Sequence, residues 1–288
     1  MEIFLQSIPF SGTIALLPSP LESGGTPDWF AFGRVLDRVA GAGFHAALPA
    51  CRAERATLKR KERLAFASCA AAQLPPSAQV YYCLDPEGGE QAIDEAIEAK
   101  ALGVGGFIVD PCPAGRRGVF LFVKRLTEET ALPVCPVKTP GRENISFYAE
   151  FAALPGVAAV ACPSCDPAEG ALLERAFSEY GRSVSGAPGI LSANDALWLL
   201  GAAPGAGFLS YLPTVFPPET ARAARVKSGA RADVSSPLFR AAEYFSSSDA
   251  AANVKWALHR LGLCMPTVRL PLWEPDASTC AALSALVC

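Results

Sequence analysis

The sequence predicts a single (β/α)8 barrel with a short helical extension at its C-terminus. Its length of 288 residues fits one barrel plus an appendage. In the first two hundred residues, short apolar runs alternate with longer segments of helical period. The apolar runs number eight, and the alternation βαβα is typical of a parallel sheet.

The strand-like runs are short and bounded by turn residues. Gly105–Val109 and Val157–Cys162 are continuously apolar, as expected for parallel strands covered by helices. The predicted strands are Thr13–Leu17, His45–Pro49, Val80–Leu84, Gly105–Val109, Pro133–Val137, Val157–Cys162, Gly189–Ser192 and Gly207–Tyr211.

Helical periods fill the segments between these strands and continue after the last one. The predicted helices are Asp28–Ala42, Lys59–Ala72, Gly88–Leu102, Gly118–Thr130, Ser146–Ala153, Pro167–Tyr180, Asp195–Gly201, Pro217–Ser228, Pro237–Ser246, Ala250–Leu261 and Ala277–Val287. Eight units close into a barrel more naturally than they extend as an open sheet, and no G-x-G-x-x-G follows the first strand. We therefore predict a barrel core over residues 1–212 and C-terminal helices, packed on its flank, over residues 213–288.

Composition excludes several classes of function. The formal net charge is −3, so there is no basic surplus for nucleic acid. The longest apolar runs, such as Ala152–Cys162 and Ala196–Ala203, are too short to cross a bilayer. The N-terminus does not resemble a signal peptide. Ten scattered cysteines in a chain of this size indicate reduced thiols and a cytoplasmic location, and neither a metal site nor a cofactor is predicted.

Several segments carry a family resemblance through their order and spacing. They are Ser11–Leu48, Ala50–Leu58 (ACRAERATL), Leu132–Arg142 (LPVCPVKTPGR), Asn253–Leu263 (NVKWALHRLGL) and Val268–Leu272 (VRLPL). Together they resemble the dihydrodipicolinate synthase and N-acetylneuraminate lyase family, class I aldolase-type barrels that act on pyruvate or similar 2-oxo acids. The resemblance implies the barrel fold and an oligomer, commonly a homotetramer.

The resemblance also implies where the reactive groups should be. In the family, a lysine at the end of strand six forms an imine with the substrate ketone. Here Ala161 occupies the matching position, and Val137 occupies that of the tyrosine that transfers protons. The threonine pair after strand two is replaced by Cys51 and Arg52, and the aromatic residues after strand four by Cys112 and Pro113. Glu54, Arg142, Ser164 and Asp166 match the family pattern.

A displaced lysine could replace the missing one. Lys138 is the candidate, because it follows Val137 at the top of strand five. Side chains alternate along a strand, so Lys138 should point away from the barrel axis if Val137 points toward it. A loop distortion could still turn its amine inward, whereas the structural interpretation is a solvated or ion-paired lysine.

Polar residues expected at the C-terminal mouth of the barrel form the candidate binding site. They are Arg52, Glu54, Lys138, Arg142, Ser192 and Asn194. Arg52 and Arg142 could hold a carboxylate or phosphate through two-pronged hydrogen bonds. An Arg–Glu pair that ties two loops together explains them equally well.

Three functional hypotheses remain at this point. The first is an altered or inactive family member that binds a small anionic metabolite or 2-oxo acid. The second is an active lyase or aldolase that uses Lys138 or a non-covalent route. The third is a non-catalytic partner in the oligomer of an active paralogue; for the chain alone, a homodimer or homotetramer is expected.

Overall fold

The computed structural model describes residues 9–49, 52–110, 115–139, 144–163, 166–180, 188–205, 207–226 and 229–287. Eight strands alternate with helices along this chain. The strands are β1 (Gly12–Leu16), β2 (His45–Leu48), β3 (Val80–Leu84), β4 (Gly106–Val109), β5 (Val134–Pro136), β6 (Ala159–Cys162), β7 (Gly189–Ser192) and β8 (Gly207–Ser210). Every predicted strand is present, with boundaries that differ by two residues at most.

The helices of the barrel surround these strands, and further helices follow β8. They are α1 (Trp29–Gly41), α2 (Arg52–Arg55), α3 (Arg60–Gln73), α4 (Glu90–Ala101), α5 (Arg116–Thr130), α6 (Ile145–Glu150), α7 (Pro167–Tyr180), α8 (Asp195–Leu199), α9 (Leu212–Val215), α10 (Pro217–Ala224), α11 (Pro237–Phe245), α12 (Ala250–Arg260) and α13 (Ala277–Val287). The four-residue helices α2 and α9 were not predicted, because a single turn carries no measurable period.

All strand pairs are parallel, in the order β5-β4-β3-β2-β1-β8-β7-β6. The two ends of this sheet meet, since isolated parallel bridges join Val134 to Val157 and Val137 to Ala161. The Lys138 amide donates to the Ala161 carbonyl at 2.7 Å across the same junction. The predicted (β/α)8 barrel is therefore confirmed.

Alternation along the strands separates two apolar clusters. The outward-facing side chains, such as Tyr82, Phe107 and Phe208, pack against the helices. The inward-facing side chains fill the barrel: Ile14, Ala47, Tyr81, Cys83, Ile108, Cys135, Ala159, Ala161, Leu191 and Leu209. Such layers make the interior of a barrel of this size a packed core.

The C-terminal helices do more than cover the flank. Helix α11 contacts α8, α9 and α12, and its residues Phe239 and Glu243 line a cavity at the mouth of the barrel. The extension thus forms part of the wall where a barrel site is expected. The boundary at residue 212 remains a prediction. No described helix is both long and apolar enough to span a bilayer.

Candidate functional site

A cavity of about 520 Å³ opens at the C-terminal ends of the strands. Inward-facing side chains from β1, β4 and β8, among them Leu16, Ile108 and Leu209, form its apolar floor. Polar groups from the loops after β4, β7 and β8 form its rim, because the carboxyl ends of parallel strands meet at one edge. This cavity is the candidate site.

Ala161 and Val137 both face the barrel interior. Ala161 is fully buried in the inward-facing cluster, and Val137 packs against that cluster and lines the cavity. The residues beside Ala161, Val160 and Cys162, lie in the outward-facing cluster. Position 161 is thus where a side chain of β6 would enter the interior, and alanine brings no amine there.

Lys138 points away from the axis, as the alternation predicts. Its side chain is 2% exposed, and its Nζ lies 2.6 Å from Glu169 Oε1 of α7. Nζ also donates to the Thr139 carbonyl at 2.9 Å and lies 5.9 Å from the centre of the Tyr148 ring. Lys138 does not contribute to the described lining of the cavity.

The polar residues that the sequence predicts at the mouth are not gathered in one site. Arg52 is half-exposed and pairs with Glu87, with Asp85 at 3.5 Å, so its described contacts tie loops together. Asn194 lines the cavity and caps α8 by accepting from the Leu197 amide at 2.9 Å. Ser192 is buried outside the cavity lining, with no partner for its hydroxyl among the described residues. Arg142, Ser164, Cys51, Cys112 and Pro113 lie outside the described residues.

Glu54 is buried beneath the mouth. Its carboxylate accepts from the Ser19 amide at 3.1 Å and forms an ion pair of 2.6 Å with Lys255 of α12. Both side chains are at most 2% exposed. Glu54 therefore links the loop after β2 to the C-terminal helices, a role that the position of Lys255 in a late helix had not indicated.

Two charged groups of the mouth were missed by the sequence reasoning. Arg55, which is buried in α2, pairs with Asp85 at 2.7 Å and with Asp110, the residues that follow β3 and β4. Asp195, which follows β7, is 4% exposed and lines the cavity. Burial raises the pKa of Asp195 to about 7, while hydrogen bonds from Ser210 and Ser246 act in the opposite direction. The available signal was that Asp85 and Asp110 directly follow predicted strands and that Asp195 lies three residues after the end of another.

The six described cysteines are free thiols, and Cys83 and Cys135 face the barrel interior. Burial raises the pKa of Cys83 to about 12 and also raises that of Cys135. Neither is an activated nucleophile. Within the described part of the chain, no group of three His, Cys, Asp or Glu side chains is placed to hold a metal ion.

A closed parallel barrel with its cavity at the C-terminal mouth defines a (β/α)8-barrel protein whose candidate site lies where such barrels carry theirs. No family model matches the chain. It is 28% identical to the 4-hydroxy-tetrahydrodipicolinate synthase of Hyphomonas neptunium, over 96% of this chain and 97% of that protein. Over nearly its whole length the chain is therefore similar to the dihydrodipicolinate synthase and N-acetylneuraminate lyase family.

Solved structures agree on the fold. A putative dihydrodipicolinate synthetase from Pseudomonas aeruginosa superimposes with a TM-score of 0.78 at 19% identity, covering 96% of this chain and 98% of that one. A dihydrodipicolinate synthase variant described as monomeric gives the same TM-score at 20% identity, with 96% of each chain covered. The barrel and its C-terminal extension are thus shared over nearly the whole length.

Proposed function

We propose that this chain is a family member that does not form an imine and that binds a small ligand at the barrel mouth. One observation carries the proposal: Ala161, which the resemblance aligns with the family's lysine, is buried in the interior wall. Imine chemistry needs an amine that can reach a substrate carbonyl. A methyl group cannot replace it.

The position of Lys138 supports this reading. To reach the cavity, its amine would have to leave Glu169 and cross the wall between β5 and β6. Breaking a buried ion pair leaves an uncompensated charge and costs about 3–5 kcal/mol. The second hypothesis, a lyase that uses Lys138, therefore requires a rearrangement that no described contact favours.

The proton-transfer position supports it as well. Val137 lines the cavity where the resemblance places a tyrosine, and valine has no titratable group. A one-residue shift of the β6 alignment does not supply a nucleophile either, because Val160 and Cys162 face the helices.

The charge of the cavity lining bears on the class of ligand. The described lining of the cavity includes the carboxyl groups of Asp110, Asp195 and Glu243 and contains no lysine, arginine or histidine. An anionic metabolite or 2-oxo acid would thus depend on Arg142, outside the described residues. That ligand class remains a prediction.

Borohydride trapping tests the proposal. The protein is incubated with pyruvate, oxaloacetate or a sialic-acid-like sugar, reduced, digested and mapped by mass spectrometry. We expect no adduct on any lysine, while the Hyphomonas neptunium relative, treated identically, is expected to be trapped by pyruvate. The Lys138→Met variant is the matched control. An adduct on Lys138 that disappears in this variant would overturn the proposal and establish the second hypothesis.

Assembly and location complete the proposal. We infer a homo-oligomer in the cytoplasm, from the resemblance and from the composition. Analytical sedimentation of the chain alone measures its oligomeric state. Co-expression with an active relative tests the third hypothesis, since a mixed oligomer with raised activity would favour a partner role over ligand binding.

A further inference from the structure

The described lining of the cavity at the mouth contains one buried carboxyl group. Asp195 is 4% exposed, and its described partners are hydroxyl groups. Its Oδ2 accepts from Ser246 Oγ at 3.5 Å, and Ser210 provides a second hydrogen bond. No lysine or arginine among the described residues forms an ion pair with it. Ionising a carboxyl group that is removed from water and has no cation beside it is unfavourable, because isolated buried charges are strongly destabilising.

The other two acidic groups of the lining do not share this property. Asp110 pairs with Arg55, and that charge is therefore already compensated. Glu243 lies at the exposed rim, where water solvates its carboxylate. Asp195 is thus the carboxylate whose negative charge a cationic ligand would compensate.

The remaining lining is apolar and aromatic. Leu16, Ile108 and Leu209 form the floor, and the rings of Tyr211, Phe239 and Phe245 lie along the wall. Aromatic faces attract cations, more strongly where water is excluded. Ligand sites commonly combine such an apolar body with a few fixed polar groups.

We propose that this cavity binds a small amine with an apolar body, its ammonium group facing Asp195 and its hydrocarbon part resting on the floor. This inference rests on the proposed function, since it names the ligand class of the same cavity. The ammonium donates hydrogen bonds to the carboxylate, and no covalent step is involved. Serine hydroxyls at 210 and 246 hold the carboxyl group in place.

A series of matched ligands tests the inference on the unmodified protein. Isoamylamine, isoamyl alcohol and isovalerate have the same branched chain and differ in their polar end. Thermal unfolding and calorimetric titration are measured at about pH 8, where the alkylamine remains protonated. We expect the amine to raise Tm by several degrees at saturating concentration, the alcohol less, and isovalerate not at all.

Two variants locate the effect. Asp195→Asn keeps the shape and removes the charge, and we expect it to weaken amine binding by about tenfold or more. Asp233→Asn makes the same change at an exposed site outside the cavity and should bind as the wild type does. If Asp195→Asn fails to fold, the ligand series still decides.

The inference is overturned if isovalerate stabilises as well as the amine, if no ligand of the series binds, or if Asp195→Asn retains full amine affinity. These results are separable from failure of the proposed function. Borohydride trapping measures imine formation with a lysine, whereas the titrations measure non-covalent binding of the amine. A lysine adduct with pyruvate would overturn the proposed function without deciding whether the amine binds.

Discussion

Lys255 Nζ lies 2.6 Å from Glu54 Oε1, and both side chains are shielded from solvent. The pair joins helix α12 of the C-terminal extension to helix α2, which follows β2 at the mouth. The lysine also donates to the Thr267 carbonyl at 3.2 Å. The loop after β2 and the C-terminal extension are therefore held as one unit.

This ion pair predicts a large loss of stability when only one partner is removed. Lys255→Met leaves Glu54 buried without its cation and should lower the free energy of unfolding by about 3–5 kcal/mol. The double variant Lys255→Met/Glu54→Leu should recover most of that loss. Urea denaturation measures all three proteins. As the control, Arg175→Met breaks the exposed pair with Glu179 and should lower the free energy of unfolding by less than about 1 kcal/mol. If Lys255→Met lowered it by no more than Arg175→Met does, the stabilising role of the Lys255–Glu54 pair would be contradicted.

Enlarging residue 161 tests how the interior of the barrel is packed. Ala161→Met adds volume to a filled layer and should destabilise the protein by about 1–3 kcal/mol. Ala161→Lys should cost more, because its amine loses water, which lowers the pKa of the new lysine. The unfolded state then binds the additional proton, so the difference between the two variants should narrow as pH rises toward about 10. A Lys variant as stable as the Met variant at neutral pH would show that the interior is hydrated.

The raised pKa of Asp195 predicts a specific dependence of stability on pH. With a value of about 7 in the folded protein, against 3.8 as the ordinary value, the unfolded chain loses this proton first as pH rises from about 4 to 7. The contribution of Asp195 to stability therefore falls across that window and is constant above it. The difference in unfolding free energy between Asp195→Asn and wild type, measured from pH 4 to 8, should move in favour of the variant by roughly 1.4 kcal/mol for each unit of pKa difference. A flat difference curve would sink this prediction. Hydrogen bonds from Ser235 lower the pKa of Asp233, so Asp233→Asn should instead show a change of the opposite sign, confined to the acidic end of the range.

The buried thiols should resist alkylation in the folded protein. Cys83 and Cys135 are at most 2% exposed, and burial disfavours their thiolates. Cys280 and Cys69 are less buried and should react first with iodoacetamide. Peptide mapping with and without urea distinguishes the two pairs. Fast labelling of Cys83 in the folded state would mean that the cavity floor opens to water.

Strand positions and the direction of side chains were accessible from the sequence because both follow from short-range pattern. Val137 inward and Lys138 outward follow from alternation once β5 is located. The partners of Lys138 and Lys255 were not accessible, since Glu169 and Glu54 are distant in sequence and reach them only through the packing of helices on the barrel. Asp195 was overlooked for a related reason: its desolvation is a property of the fold, and the sequence shows only that it follows a strand.

The bridge between Val137 and Ala161 closes the barrel, so the positions at which the resemblance predicts a tyrosine and a lysine are direct neighbours. Substitutions at neighbouring sites are not additive. A lysine installed at 161 must find room beside residue 137, and a tyrosine at 137 must do so beside residue 161. Introducing the two side chains is therefore expected to be epistatic: the changes have to be compatible with each other before either is tolerated.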